Sequence, residues 1–121
     1  MPIKNILIVD DSATDRQYLS ELLAKNGYKV TTAQNADEAL AKAKELHPDL
    51  VLMDVVMPGE SGFQATRTLS RDEATKKIPI IICTSKGQDT DKAWGMKQGA
   101  RDYIVKPVSG PDLLAKISAL G

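Results

Sequence analysis

The sequence predicts an α/β domain in which five helices cover a doubly wound, five-stranded parallel sheet. Short apolar runs alternate five times with segments of helical periodicity along the 121 residues, which is the order expected for β-α units. These runs show little polar alternation, so we expect strands buried on both faces of a parallel sheet. Right-handed crossovers favour the strand order 2-1-3-4-5, one of two common arrangements, although the sequence leaves the other order open.

The first β-α unit begins with residues 6–9, an apolar run that ends at Asp10 and Asp11. Ser12 is the predicted N-cap of the first helix, and Asp15, three residues later, stands at the capping-box position. The helix then presents an apolar face made of Tyr18, Leu19, Leu22 and Leu23. We expect the helix to stop at Gly27, because glycine readily adopts the left-handed conformation that closes many helices.

The second unit starts with residues 29–33, whose polar character predicts a strand at the edge of the sheet. Asn35 is the predicted N-cap of the next helix, with Glu38 at the capping-box position. Its narrow apolar stripe consists of Ala39, Leu40, Ala43 and Leu46. The helix should end at His47, because the residue before a proline avoids the helical region.

The third unit carries the most informative carboxylate. Residues 50–53 form an apolar run that leads directly into Asp54, and Pro58 and Gly59 then turn the chain into a loop. A third helix follows from Gly62, with an apolar set made of Phe63, Ala65, Thr66 and Leu69. Asp54 is therefore predicted at the end of a central strand, the edge where open α/β sheets bind ligands.

The last two units end their strands in polar residues. Residues 78–83 form the most apolar strand, which leads into Thr84, and residues 90–98 are predicted to form the fourth helix. Residues 102–105 form the last strand, which leads into Lys106 and Pro107. Ser109 should cap the final helix, whose apolar positions are Leu113, Leu114, Ile117 and Leu120.

Composition excludes several classes of protein. Lysine plus arginine equals aspartate plus glutamate, 16 of each, so no global field favours nucleic acid or a membrane surface. Cys83 is the only cysteine, which rules out an intramolecular disulfide, and no apolar run approaches membrane-spanning length. The first residues make a poor signal peptide. We expect one cytoplasmic domain.

Five polar side chains follow the predicted strands at one edge of the sheet, namely Asp10, Asp11, Asp54, Thr84 and Lys106. Their formal charge is −2, which a divalent cation would offset, and an all-oxygen ligand set on few protein groups suits Mg²⁺. Lysine and threonine can bind phosphoryl oxygens, and a carboxylate can itself form an aspartyl phosphate. The group predicts Mg²⁺-dependent phosphoryl chemistry, although each residue taken alone is an ordinary cap or turn residue.

Two other reactive residues are predicted to lie outside this chemistry. His47 precedes the third strand, roughly 17 Å from the acids at a rise of about 3.3 Å per residue, which argues against a catalytic triad or histidine metal ligand. Cys83 lies inside the most apolar strand and is predicted to be inert packing.

Four segments of the chain resemble the receiver domain of two-component response regulators, the CheY-like family: residues 8–12, 54–59, 84–85 and 103–107. The resemblance implies a flavodoxin-like fold and covers essentially the whole chain. It implies that Asp54 is the phosphoacceptor, that Asp10, Asp11 and the backbone carbonyl of Val56 complete a Mg²⁺ site with it, and that Lys106 contacts the phosphoryl group. On this basis we expect residues 1–121 to be a single receiver domain without an output domain.

The same resemblance implies a switch and a set of partners. Thr84 and Tyr103 would form the switch pair, and the surface of helix 4, strand 5 and helix 5 would report it to a downstream protein. A histidine kinase or histidine phosphotransfer domain would donate the phosphoryl group. Residues 62–67, 90–95 and 98–103 further resemble single-domain regulators of type IV pilus twitching motility, which implies a chemotaxis-like pilus system and a target in the pilus machinery. Val108 departs from the aromatic residue of the chemotaxis regulator, so flagellar-motor contacts are not expected.

Three functions remain open at this point. The first is a stand-alone phosphoacceptor signalling protein that is not an enzyme, in the pilus system or in another phosphorelay. The second is a Mg²⁺-dependent hydrolase or phosphatase that passes through an aspartyl phosphate, but such an enzyme needs a second acid near the nucleophile and Val56 occupies the position two after Asp54. The third is a degenerate receiver that acts only as a scaffold, against which the intact acid, threonine and lysine set argues.

Overall fold

The computed structural model describes residues 3–55, 62–85 and 89–120 and, within them, all side chains except those at 84, 85 and 89–92. Strands and helices alternate along the chain as predicted. They are β1 (Asn5–Val9), α1 (Ala13–Lys25), β2 (Lys29–Ala33), α2 (Ala36–Leu46), β3 (Leu50–Asp54), α3 (Gly62–Arg71), β4 (Ile80–Ser85), α4 (Asp89–Lys97), β5 (Asp102–Lys106) and α5 (Gly110–Leu120).

The five strands form one parallel sheet in the order β2-β1-β3-β4-β5, which confirms the predicted topology. β3 is the central strand and all five of its residues are buried, whereas the more polar β2 lies at the edge. β4 begins two residues later than predicted. Pro79 lacks an N–H group and contributes only its carbonyl, which accepts a hydrogen bond from the Val51 N–H at 3.0 Å.

The sheet carries an apolar layer on each face because successive strand residues point to opposite sides. One layer packs strand residues against α1 and α5, and its members include Ile6, Ile8, Leu52, Ile104, Leu19, Leu23, Leu113 and Ile117. The other packs strand residues against α2 and α3, and its members include Leu7, Val9, Val51, Met53, Ala39, Ala43, Ala65 and Leu69. The two layers bury β1 and β3 on both faces and thereby position the residues that follow these strands.

The start of α3 is fixed against the end of β3 by Gly62. Its N–H donates to the carbonyl of Val55 at 2.9 Å. A Cβ atom built at this position would overlap the backbone carbonyl oxygen of Asp54, so only glycine allows the helix to approach this closely. The buried side of α3 therefore contributes to the position of Asp54.

The N-caps of α1 and α2 follow the sequence, whereas the side chain at the capping-box position of α1 does not. The Ser12 and Asn35 side chains accept hydrogen bonds from the N–H groups of Asp15 (3.2 Å) and Glu38 (2.9 Å), as predicted. The capping-box prediction is wrong for the Asp15 carboxylate, because the Ser12 N–H donates instead to Asp10 Oδ1 at 2.9 Å. The Asp15 side chain is thereby left for a different contact.

Two predicted core residues lie at the surface. Leu46, the last residue of α2, is 51% exposed because the helix ends there, and His47 closes it in the left-handed region. Tyr18 is 46% exposed, and its hydroxyl donates to the Val108 carbonyl at 3.0 Å rather than entering the core. In the described ranges, no helix combines the length and apolar character that crossing a membrane requires.

Candidate functional site

The carboxyl ends of β1, β3, β4 and β5 meet at one edge of the sheet. The parallel register pairs Val9 with Met53 and Asp54 with Cys83, and it pairs the backbones of Thr84 and Val105. The residues that end or follow these strands are therefore neighbours, as the sequence predicted. The backbone of Thr84 lies at this edge, paired with Val105. The side chain of Thr84 and the whole of Val56 lie outside the described part of the structure.

Three carboxylates form the acidic part of the site. Asp10, Asp11 and Asp54 each offer an oxygen within 4.8 Å of the others. Asp10 and Asp54 are buried, at 2% and 7% exposure, whereas Asp11 faces solvent. Buried carboxylates need a compensating cation, and a purely oxygen-based set open to water on one side fits Mg²⁺, which keeps several water ligands. These three residues could hold that ion.

Lys106, the last residue of β5, supplies the positive charge of the site. Its Nζ lies 3.0 Å from Asp10 Oδ2, 3.2 Å from Asp54 Oδ1 and 3.1 Å from Asp15 Oδ2. Burial alone would lower the pKa of this ammonium, but the hydrogen bond to Asp10 and the charge of Asp54 raise its pKa above the usual value. Lys106 is therefore a fixed cation at neutral pH.

The pKa of Asp54 depends on its burial and on the charges around it. Burial, and then the negative charge of Asp10, raise the pKa of Asp54 to about 6, although Lys106 acts in the opposite direction. Lys106 alone is thus insufficient to offset the burial of Asp54 and the negative charge of Asp10. A divalent cation at the three carboxylates would supply the missing charge and favour the ionised, nucleophilic form of Asp54.

The loop after β1 is held by its own hydrogen bonds. Asp10 Oδ1 accepts from the Ser12 N–H at 2.9 Å, and the Asp10 carbonyl accepts from Arg16 Nη1 at 2.7 Å. These contacts fix the Asp10 carboxylate towards Lys106. The sequence did not reveal the contact between Asp15 and Lys106, which are 91 residues apart. The capping-box position of Asp15 already gave a local explanation for its carboxylate, and no pattern in the sequence indicated the distant partner.

Tyr103, predicted to be half of a switch, lies on β5, which β4 separates from the strand that carries Asp54. Its backbone pairs with Ile82, and its side chain packs against the apolar cluster of Val55, Ile82 and Ala100. Asp102 Oδ1 accepts a hydrogen bond from the Tyr103 N–H at 2.8 Å. The ring is partly exposed, so it connects the interior of the sheet edge with the surface formed by α4, β5 and α5.

The remaining reactive residues lie where predicted. His47 precedes β3, at the edge of the sheet opposite to the acids. Cys83 is 3% exposed, and burial raises the pKa of its thiol to about 12, so it is an apolar packing residue rather than a nucleophile.

An open cavity of about 590 Å³ lies beside Lys106. It runs between the first turns of α1 and the segment after β5, and its lining includes Asp15, Tyr18, Lys106, Pro107 and Val108. Most of its surface is apolar, while Asp15 and Lys106 stand at the side nearest the acids. The cavity gives the lysine and its Asp15 partner direct access to solvent.

This geometry agrees with a match to a known family. The family model described as the response regulator receiver domain matches residues 6–118. The chain belongs to this family of two-component signalling domains, as its sequence predicted.

The relatives include proteins of different lengths. The chain is 53% identical to protein PilH of Pseudomonas aeruginosa over 115 residues, which cover 95% of both chains. It is 44% identical over 117 residues to the phosphate regulon transcriptional regulatory protein PhoB of the same organism, where the match covers 97% of this chain and 51% of PhoB. The chain thus spans almost all of PilH and about half of PhoB.

Solved structures show the same fold. The chemotaxis protein CheY4 of Vibrio cholerae superimposes with a TM-score of 0.92 at 34% identity, covering 98% of this chain and 99% of CheY4. A response regulator receiver domain protein from Clostridium thermocellum gives a TM-score of 0.89 at 32% identity, with coverage of 98% and 94%.

Proposed function

We propose that this chain is a stand-alone response regulator that accepts a phosphoryl group on Asp54 in a Mg²⁺-dependent reaction. The observation that carries the proposal is the position of Asp54. Its buried carboxylate ends the central strand of a receiver fold, within 4.8 Å of the carboxylates of Asp10 and Asp11 and 3.2 Å from the Lys106 ammonium.

Asp54 is the nucleophile of the proposed reaction. One of its oxygens forms a bond to phosphorus while the P–N bond of a phosphohistidine donor breaks, and the histidine nitrogen leaves with the electron pair of that bond. Lys106 remains protonated, so its N–H groups are available to bind an oxygen of the arriving phosphoryl group. The donor would be a histidine kinase or a histidine phosphotransfer domain.

Asp10, Asp11 and Asp54 would hold the Mg²⁺ ion, together with the backbone carbonyl of Val56 that the family resemblance implies. The ion would supply positive charge that stabilises the phosphoryl oxygens during transfer. The protein's own contribution is to keep Asp10 fixed through Ser12 and Arg16. It also holds the Asp54 carboxylate 3.2 Å from the Lys106 ammonium.

Thr84 and Tyr103 are the proposed switch. A phosphoryl oxygen on Asp54 would offer the Thr84 hydroxyl a charge-assisted hydrogen bond, and its inward movement would leave space beside β5 for the Tyr103 ring. The surface of α4, β5 and α5 would then change for a downstream protein. The partly exposed position of Tyr103 beside Ile82 and Ala100 supports this route.

The proposed biological context is based on the similarity to PilH. The 53% identity to PilH over nearly the full length of both chains supports a role in a chemotaxis-like system that controls type IV pilus twitching motility. The downstream target would then be a protein of the pilus machinery, and the place of action the cytoplasm.

Intact-mass measurement after incubation with acetyl phosphate and Mg²⁺ tests the proposal. We expect one phosphoryl adduct on the wild-type chain, none on Asp54→Asn, and an adduct of normal yield on Asp112→Asn, which changes an exposed aspartate of α5. An undiminished adduct on Asp54→Asn would disprove the assignment. Catalytic turnover of varied phosphoesters would instead favour a hydrolase.

A further inference from the structure

Lys106 has a carboxylate partner outside the group formed by Asp10, Asp11 and Asp54. Asp15, in the first turn of α1, places its Oδ2 3.1 Å from Lys106 Nζ, as close as Asp10 and Asp54. The Asp15 side chain is 45% exposed, whereas the carboxylates of the other two partners are at most 9% exposed. Lys106 therefore bridges two buried acids and one acid at the surface.

The Asp15 carboxylate is available for this contact because the cap of α1 does not use it. Only its backbone N–H takes part in the cap, as a donor to Ser12 Oγ, and Asp10 accepts the hydrogen bond from the Ser12 N–H. Asp15 also lines the open cavity next to Lys106. Its carboxylate reaches the ammonium from the solvent side.

Lys106 has as many carboxylate neighbours as it has N–H donors. An ammonium group has three N–H donors, and here three carboxylates lie within 3.2 Å of the nitrogen. Phosphorylation of Asp54 converts one of these carboxylates into the acyl phosphate, so the N–H that faced Asp54 can bind one phosphoryl oxygen. A second phosphoryl contact with Lys106 must displace Asp10 or Asp15. Asp10 is buried and fixed by the Ser12 N–H, whereas Asp15 can exchange its contact for water at the smallest cost.

We propose that Asp15 is a positioning residue that draws the Lys106 ammonium towards α1 and competes with the phosphoryl group for it. The inference rests on the proposed function, in which Asp54 carries the phosphoryl group. In the unmodified protein Asp15 occupies the third N–H of Lys106. In the phosphorylated protein the released carboxylate remains close to the phosphoryl oxygens and repels them. Asp15 thereby weakens the phosphorylated state.

Removal of this charge should strengthen the binding of a phosphoryl mimic. With Mg²⁺ present, we expect Asp15→Asn to bind beryllium fluoride about three to ten times more tightly than the wild-type chain, as expected for one like charge removed near the protein surface. The gain should shrink as salt is added, since the Asp15 carboxylate is partly exposed and its field is screened. Asp15→Glu, which retains the charge, should stay near the wild-type affinity.

Asp112→Asn is the matched control. Asp112 stands in the first turn of α5, where its N–H donates to the Ser109 hydroxyl at 3.5 Å, so it repeats the helix position of Asp15. Both variants remove the same favourable interaction with a helix N-terminus. If Asp15 serves only its helix, the two variants will lose similar thermal stability and neither will bind the mimic more tightly, which would overturn the inference.

The titrations separate this inference from the function on which it rests. Failure of the wild-type chain to bind beryllium fluoride with Mg²⁺ would overturn the proposed function and the inference together. Binding by the wild type and loss of binding in Asp54→Asn would support the function, and unchanged or weaker binding by Asp15→Asn would then overturn the inference alone. Thermal unfolding of each variant verifies that the titrated protein is folded.

Discussion

The ammonium of Lys116 lies 5.2 Å from the centroid of the Tyr103 ring, so a residue of α5 forms a cation–π contact with the proposed switch residue of β5. Lys116 Nζ also lies 3.2 Å from Asp102 Oδ1, the same oxygen that accepts the Tyr103 N–H. Asp102 and Lys116 thus hold Tyr103 from its backbone and from its ring. The final helix is attached to the start of β5 through these two contacts.

Lys116→Met should lower the free energy of unfolding by about 1 kcal/mol, because it removes a partly exposed ion pair and a cation–π contact while it keeps the apolar stem. Urea denaturation measures this change. Lys116→Arg, which can keep both contacts, should stay close to the wild type. A loss of the same size in both variants would mean that packing, rather than charge, accounts for the effect.

Asp54→Asn should stabilise the metal-depleted protein at neutral pH. Burial raises the pKa of Asp54 to about 6, so the folded chain binds a proton more readily than the unfolded chain between about pH 4 and 6. The wild-type contribution of this group therefore becomes unfavourable as pH rises through that window. We expect Asn to add about 1–3 kcal/mol at pH 7 in the presence of a chelator, and almost nothing near pH 4. Urea denaturation at the two pH values tests this, and an equal gain at both would contradict the expected linkage.

Mg²⁺ should raise the melting temperature of the wild-type chain, because an ion that binds only the folded state stabilises it by mass action. At a concentration about 100 times the dissociation constant, the gain is about 2.7 kcal/mol. Asp11→Ala removes one proposed ligand and should lose most of this gain. Lys106→Ala removes no ligand and should keep it. Equal stabilisation of Asp11→Ala and the wild type would exclude Asp11 from the metal site.

Trp94 should report the proposed switch. It is the only tryptophan, it lies on α4, and it is 51% exposed, so its emission is sensitive to changes at the α4 surface. Beryllium fluoride with Mg²⁺ should change its fluorescence beyond the effect of Mg²⁺ alone, with a smaller change in Thr84→Ala and none in Asp54→Asn. A wild-type response in Thr84→Ala would show that Thr84 does not couple the site to α4.

The fold could be predicted from the sequence because each strand and helix has a strong local signal. β3 and β4 begin with continuous apolar runs, and the caps at Ser12 and Asn35 stand where their helices begin. Errors occurred where a local pattern competes with tertiary structure. Leu46 matches the apolar stripe of α2, yet it is exposed because the helix ends at that residue.

The candidate site was predictable to the extent that it depends on strand ends. Asp10, Asp54 and Lys106 meet because parallel strands bring their carboxyl ends to one edge. The contact between Lys106 and Asp15 was not predictable, since it depends on how α1 is rotated against β5. Periodicity gives the apolar face of a helix, but it does not give the direction of a polar side chain beside that face.

The buried state of Cys83 has a practical value for labelling the protein. The chain contains one cysteine, and its thiol is 3% exposed with a pKa of about 12, so a maleimide reagent should leave it unmodified in the folded protein. A cysteine introduced at the exposed Ala93 of α4 would then be the one thiol that the reagent reaches. A dye could be attached there in a single step, without first replacing Cys83 and disturbing the layer in which it packs.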